Sequence, residues 1–266
     1  MIYLKEFDSH SSYETEVNGV GVDFKIPNVS YCNDVNDVHF NPYNLIEFYV
    51  GEITGTTPQT VKIYTDANNH LDVTVSEGNK WYSYLLPKDK GLFRIEGDSV
   101  KKVVVKADIS YEGTSSYRNY PIISNSVVEA SFKGSNTSNV TNMYKMFDYC
   151  RSLTSLDLRN FNTSNVTLMN GMFSNCRSLT SLDLSNFVTS NVTNMDGMFT
   201  DCSGLISLDL SGWNTSNVTS MQNIFCGCTS LNIITMKGCS EATINKIKEQ
   251  LTKDGISIDK VNIITE

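Results

Sequence analysis

The apolar positions of the C-terminal half recur in a fixed order. Val140, Val166, Val192 and Val218 each open a unit, and Met143, Met169, Met195 and Met221 follow three residues later. Met146, Met172, Met198 and Ile224 come next, each joined directly to Phe147, Phe173, Phe199 or Phe225, and Cys150, Cys176, Cys202 and Cys228 close the stretch. Apolar residues at i, i+3, i+6, i+7 and i+10 trace one face of a helix, so the pattern predicts a short helix in every unit. After each cysteine the period changes. Leu153-x-x-Leu156-x-Leu158-x-x-Phe161 recurs as Leu179, Leu182, Leu184 and Phe187, then as Leu205, Leu208, Leu210 and Trp213, and drifts to Leu231, Ile234 and Met236. Alternation at the second and third leucines predicts a short strand with both side chains inward.

The four cysteines are 26 residues apart, and Cys150–Asn175 matches Cys176–Asp201 at 20 of 26 positions. Self-similarity of this period signals a solenoid, in which a single unit cannot bury its own apolar face and neighbours must share one core. The Thr-Ser-Asn triplets at 137–139, 163–165, 189–191 and 215–217 offer side-chain oxygens that could cap the N–H groups of the expected helices. Both ends show capping signals. Val127-x-x-Ala130-x-Phe132 carries the leucine spacing one period before Leu153, so the first strand is expected near position 126. Beyond the last full unit, Ser240 is placed to N-cap a longer helix with an apolar stripe at Ile244, Ile247 and Leu251. Gly255 suits its C-terminus, and Ile258-x-x-Val261-x-Ile263 suits a final strand.

The run Asn-Thr-Ser-Asn-Val-Thr-x-Met-x-x-Met-Phe-x-x-Cys-x-Ser-Leu-x-Ser-Leu-Asp-Leu resembles the BspA-like leucine-rich repeats of bacterial surface proteins, over about residues 126–240. The resemblance implies adhesion or protein recognition rather than catalysis, and it does not define a sugar or matrix ligand.

The N-terminal half has a different rhythm. Residues 44–123 hold apolar runs at Glu47–Ile53, Gln59–Tyr64, Leu71–Val75, Trp81–Leu86, Gly91–Ile95 and Val100–Ile109, divided by Gly, Pro and Asn breakers. This spacing predicts a small antiparallel all-β, sandwich-like domain, with Gly113–Pro121 as the linker to a solenoid over 124–266. Residues 1–43 stand apart as an N-terminal arm. Leu4-Lys-Glu-Phe7-x-x-His10-x-x-Tyr13 could start as a short helix, followed by Pro27-Asn-Val-Ser-Tyr-Cys32 and Val38-His39-Phe40-Asn41-Pro42. The arm is similar to the leader segment of virion and prophage proteins of gut Bacteroides-type bacteria and their phages. That resemblance implies a segment that docks the chain onto other virion proteins. The expected fold class is therefore an α/β leucine-rich-repeat solenoid behind a small all-β domain and an anchoring arm.

Composition narrows the function. The net charge is −8 and neither half has a basic face, which argues against nucleic-acid binding by charge neutralisation. No apolar run is long enough for a membrane span, and the charges in Met1–Asp8 argue against a signal peptide, so no membrane insertion and no export by that route are expected. His10, His39 and His70 include no pair at metal-ligand spacing, so neither a metal centre nor a cofactor is expected. The repeated cysteines read as small buried side chains rather than disulfides, with Cys226 as an extra surface thiol.

The outward strand positions hold the candidate ligand residues. Ser155, Ser181 and Ser207 form one row and Asp157, Asp183 and Asp209 another; stacked on one face, they could hold a cation or sugar hydroxyls. Trp81, Tyr82 and Tyr84 could form a stacking platform, although alternation places Trp81 opposite the two tyrosines and favours core packing for them. Asn139-Val-Thr141 and Asn165-Val-Thr167 read as helix-entry caps rather than glycan acceptors. Glu47 with Glu52, or Asp34 with Asp37, would be the acid pairs of an enzyme, but nothing in the sequence joins them, so no catalytic residue is assigned. The expectation is a non-catalytic structural or adhesion protein of a bacteriophage virion. A host surface protein or glycan would be its target and a homo-oligomer its state, with a bacterial cell-surface adhesin as the alternative.

Overall fold

A computed structural model describes residues 5–7, 43–54, 57–87, 90–113 and 121–266. Seven strands precede the repeats: β1 (Lys5–Phe7), β2 (Tyr43–Val50), β3 (Gln59–Tyr64), β4 (His70–Val75), β5 (Lys80–Pro87), β6 (Arg94–Glu96) and β7 (Val100–Lys106). They follow the apolar runs closely. Strand β2 starts earlier and β6 is shorter than the sequence suggested. Lys5–Phe7, expected inside a short helix, is strand and pairs antiparallel with β5. The rest of the expected arm and the stretch 114–120 of the expected linker lie outside the described residues.

Strands β1-β5-β2-β7 form an antiparallel sheet and β4-β3-β6 a second one. Alternation sets their packing. Ile46, Phe48 and Val50 of β2 turn inward with Tyr82, Tyr84 and Leu86 of β5, and all six are buried. Phe48 stacks on Tyr82 at 5.7 Å, and the Tyr82 hydroxyl donates to the carbonyl of Glu77 at 2.7 Å, so the buried phenol keeps a partner.

The C-terminal part is a repeat solenoid of stacked coils. Its strands are short: β8 (Glu129–Ser131), β9 (Ser155–Asp157), β10 (Ser181–Asp183), β11 (Ser207–Asp209), β12 (Ile233–Thr235) and β13 (Asn262–Ile264). Leu182, Leu208, Ile234 and Ile263 stand in register on consecutive parallel strands. Ala130 stands opposite Leu156 in the same way on β8 and β9. The helix expected in each coil is absent; those residues form turns.

Two left-handed residues per coil explain the difference. Lys145 and Tyr149, Gly171 and Asn175, Gly197 and Asp201, and Asn223 and Gly227 all have φ between 56° and 78°. An α-helix cannot continue through such residues. Backbone bonds alternate instead. Met143, Lys145, Phe147 and Tyr149 donate to Leu168, Asn170, Met172 and Ser174 of the next coil, while Met146, Asp148 and Cys150 each donate three residues back. The apolar spacing that reads as a helical face is produced here by successive tight turns that tuck the same side chains inward. The coils are therefore built from strand and turn, not from an alternation of strand and helix.

The Thr-Ser-Asn triplets also do something other than cap helices. Thr163 Oγ1 accepts the N–H of Val188 at 2.8 Å and donates to its carbonyl at 3.1 Å. Thr137 treats Asn162, and Thr189 treats Asn214, in the same way. Asn165, Asn191 and Asn217 donate from Nδ2 to Ser138, Ser164 and Ser190 of the preceding coil. Repeated polar side chains thus bond one coil to the next and satisfy backbone groups that the turns leave open. Inside, Phe147, Phe173, Phe199 and Phe225 stack at 5.6, 5.8 and 5.9 Å with planes within 7°. Cys150, Cys176, Cys202 and Cys228 are free and buried. Cys176, Cys202 and Cys228 donate Sγ–H to the carbonyls of Phe147, Phe173 and Phe199. Burial pushes these thiols up and keeps them from reacting as thiolates.

Side chains close the far end. Ser240 N-caps helix α1 (Glu241–Lys253), accepting from the N–H of Thr243. In earlier coils the Phe N–H donates to the next coil's carbonyl; for Phe225 the acceptor is Asp254 Oδ2 at 2.8 Å. Lys246 Nζ donates to the carbonyls of Thr215 and Val218. A single 3₁₀ turn, Ile258–Lys260, then leads into β13, where the sequence suggested strand throughout.

At the near end, β7 pairs in parallel with β8, placing Lys102, Val103 and Val104 opposite Glu129, Ala130 and Ser131. The hydrogen-bonded sheet therefore crosses the expected boundary at 123/124. Strand β7 is at once the last strand of the antiparallel sheet and the first rung of the parallel stack.

Candidate functional site

The shared sheet brings distant residues into one lateral row. Trp81 of β5 faces Tyr49 of β2, Tyr49 faces Lys102 of β7, Lys102 faces Glu129 of β8, and Glu129 faces Ser155 of β9. A second row runs from Glu47 through Val104 and Ser131 to Asp157. All of these side chains lie on the face opposite the Phe48–Tyr82 core. Between them is an open groove of about 520 Å³ whose lining includes Trp81, Lys102, Glu129, Ser131, Ser155 and Asp157.

The charges in the groove are paired. Lys102 Nζ lies 3.0 Å from Glu129 Oε2, both partners being about half exposed. Arg159 forks onto Asp157 with Nε to Oδ1 at 2.9 Å and Nη2 to Oδ2 at 2.6 Å. That guanidinium holds the Asp157 carboxyl below the usual range. Trp81 is partly exposed and meets Tyr49 edge-on at 5.7 Å. Tyr82 and Tyr84 are buried on the other face, as alternation required. Ser155 is exposed at the solenoid end of the groove.

The six candidate residues fall into two groups. Ser181 and Asp183 stand in register with Ser207 and Asp209 on β10 and β11. Ser155 and Asp157 belong to the sheet that ends at β9, and among the described residues no strand ladder joins β9 to β10. The aspartates have local work. Asp183 accepts the N–H and hydroxyl of Ser185 at 3.0 and 2.6 Å, and Asp209 accepts the N–H of Ser211 at 2.9 Å. These Asx turns close the bend after each strand.

Lys102 and Glu129 are groove residues that the sequence reading missed. A signal was present: Val100-x-x-Val103-x-Val105 carries the spacing of Val127-x-x-Ala130-x-Phe132 one unit earlier, and aligning the two sets Lys102 beside Glu129. Of the acid pairs considered, Glu47 is buried and Glu52 exposed; Asp34 and Asp37 lie outside the described residues. Among the described residues no group of three His, Cys, Asp or Glu side chains could hold a metal, and no helix is long and apolar enough to cross a membrane.

Fold and surface together define a repeat solenoid with a polar strand face. Residues 121–237 match the family described as "Mycoplasma protein of unknown function, DUF285". The match covers less than half of the chain; it takes in the coils and ends before α1. No curated protein and no solved structure matches the chain.

Proposed function

We propose that the chain is a non-catalytic recognition protein that presents its solenoid for adhesion to a host surface, and that it does so as a component of a bacteriophage particle. The observation that carries the adhesion reading is the groove with its adjoining strand face: polar side chains held in register within two successive strand ladders, open and shallow. Such a surface suits contact with a large or repetitive target. It does not enclose a substrate or exclude water from a reacting bond. The virion part rests on the resemblance of residues 1–43 to phage leader segments. In this reading the arm and the sandwich-like region 44–123 attach to the particle, and copies assemble symmetrically.

The BspA-like repeat pattern favours a second reading, display on a bacterial cell surface. Mass spectrometry of purified phage particles separates the two readings: the chain should appear at a fixed ratio to capsid or tail proteins. Its absence from particles together with recovery from the cell envelope would overturn the virion reading. Flow cytometry with the labelled full chain tests adhesion itself, which fails if no host cell retains it above a label-only control.

A further inference from the structure

We propose that the groove between β5, β7, β8 and β9 is a binding site for a short neutral oligosaccharide, with Trp81 as its aromatic wall and Glu129 and Ser155 among its hydroxyl partners. This deepens the adhesion reading and rests on it only for biological purpose; the chemistry of the groove stands by itself.

Three observations point to this ligand class. The first is charge. Lys102 is paired with Glu129 inside the groove, and Asp157 is paired with Arg159, which lies outside the lining, so each charged group that lines the groove already has an opposite partner, in a chain of net charge −8. An anionic ligand would meet Glu129 and Asp157, and a cation would meet Lys102. A neutral ligand rich in hydroxyls can instead donate to the carboxylates and accept from the ammonium group without disturbing either pair.

The second is the combination of surfaces. A pyranose has an apolar C–H face and an equatorial rim of hydroxyls. The groove offers an indole at one end, edge-supported by Tyr49, and a line of polar side chains running from it along Lys102, Glu129 and Ser155. Aromatic body and polar row are what the two sides of a sugar require.

The third is size and rigidity. About 520 Å³ falls within the range of small-ligand sites and has room for more than one sugar ring. The polar side chains stand on hydrogen-bonded strands in register, so their spacing is set before the ligand arrives.

Intrinsic fluorescence gives a direct test because the chain has only two tryptophans. Trp213 is buried and its Nε1–H is held by the carbonyl of Leu184, so it serves as an internal reference. The full chain is titrated with maltotriose, cellotriose, mannotriose and triacetylchitotriose, and the same mixtures are measured by saturation-transfer NMR. At least one of these trisaccharides should shift the emission with a Kd on the order of 1 mM or tighter. Trp81→Phe removes the reporter, so its effect is read by saturation-transfer NMR, where the signal of the bound sugar should fall at least fivefold while Trp213 emission shows the fold intact. Glu129→Gln and Ser155→Ala should each weaken binding about fivefold, the loss of one hydrogen bond. Gln222→Ala, on the exposed turn side, should change nothing. No response to any of the four sugars in either measurement overturns the site. So does binding that survives Trp81→Phe and Ser155→Ala unchanged, or a sialylated trisaccharide that binds more tightly than all the neutral ones. If host cells retain the chain but none of the sugars does, the sugar site falls and adhesion stands; the converse result keeps the groove and removes adhesion.

Discussion

The two regions of this chain reach the same burial by opposite routes. In the solenoid each coil repeats the last, and the same side chain does the same work at every step: Thr137, Thr163 and Thr189 each hold the backbone 25 residues ahead, and each Phe stacks on the next. Among the described residues of 43–111, strand β7 apart, the contacts do not repeat. Phe48 meets Tyr82, Phe93 meets Tyr111, and Arg94 lies over Tyr64, each contact made once. Duplication makes the first region tolerant of drift, because a changed coil still has neighbours of standard shape. The second region has no such redundancy. Strand β7 serves both.

The largest test of this contrast is in the aromatic cores. Phe173→Ala should cost about 3–5 kcal/mol, since the ring is fully buried between Phe147 and Phe199 and its cavity cannot collapse along a rigid stack. Phe48→Ala should cost a similar amount. Because coils contact only their neighbours, hydrogen exchange should quicken first in 121–240 for the former and in 43–111 for the latter. Uniform quickening in both variants would show that the shared strand welds the regions into one unit.

Thr163→Val comes next. It keeps the shape and strips both bonds to Val188, so urea unfolding should show a loss of about 1–3 kcal/mol. A neutral result would mean that water replaces the hydroxyl and that the threonine ladder is not what joins the coils. Ser240→Ala should cost about 1 kcal/mol by removing the N-cap of α1, with the loss confined to the end of the stack.

The smallest effect is one of pH. Burial raises the Asp148 carboxyl above the ordinary range, with Lys145 opposing. An acid whose folded pKa is raised supports the fold fully below its unfolded value, and that support is lost as pH rises through the folded value. Relative to Asp148→Asn, the natural chain should therefore lose stability as pH climbs from about 4 toward neutrality. A stability difference that stays flat over that interval would remove the effect assigned to this carboxyl.

Much of this architecture was legible in residue order. The period, the inward leucines, the buried cysteines and the Ser240 cap all follow from spacing, because a repeated unit states its contacts several times over. The short helices were misread for a physical reason: tight turns with two left-handed residues per coil tuck in the same positions that one face of a helix would. The telling residues were Gly171, Gly197 and Gly227, each at a left-handed position occupied in other coils by Lys, Asn, Asp or Tyr. Asp157, Asp183 and Asp209 read as a row of possible ligands; their turn-closing bonds to residues two ahead are a matter of geometry that a column of identical letters cannot express. Trp81 was visible as an aromatic, but its place beside Lys102 and Glu129 depended on the pairing of β7 with β8.

Residue order alone determined that these coils stack, since one 26-residue unit has more apolar surface than it can hide and the next unit presents the matching face. Tertiary structure alone decided where the stack begins and what lies across its open side. Strand β7 pairs on both edges, antiparallel with β2 and parallel with β8, and which partners meet at those edges depends on chain reversals far away in sequence. The groove exists because both edges are filled at once.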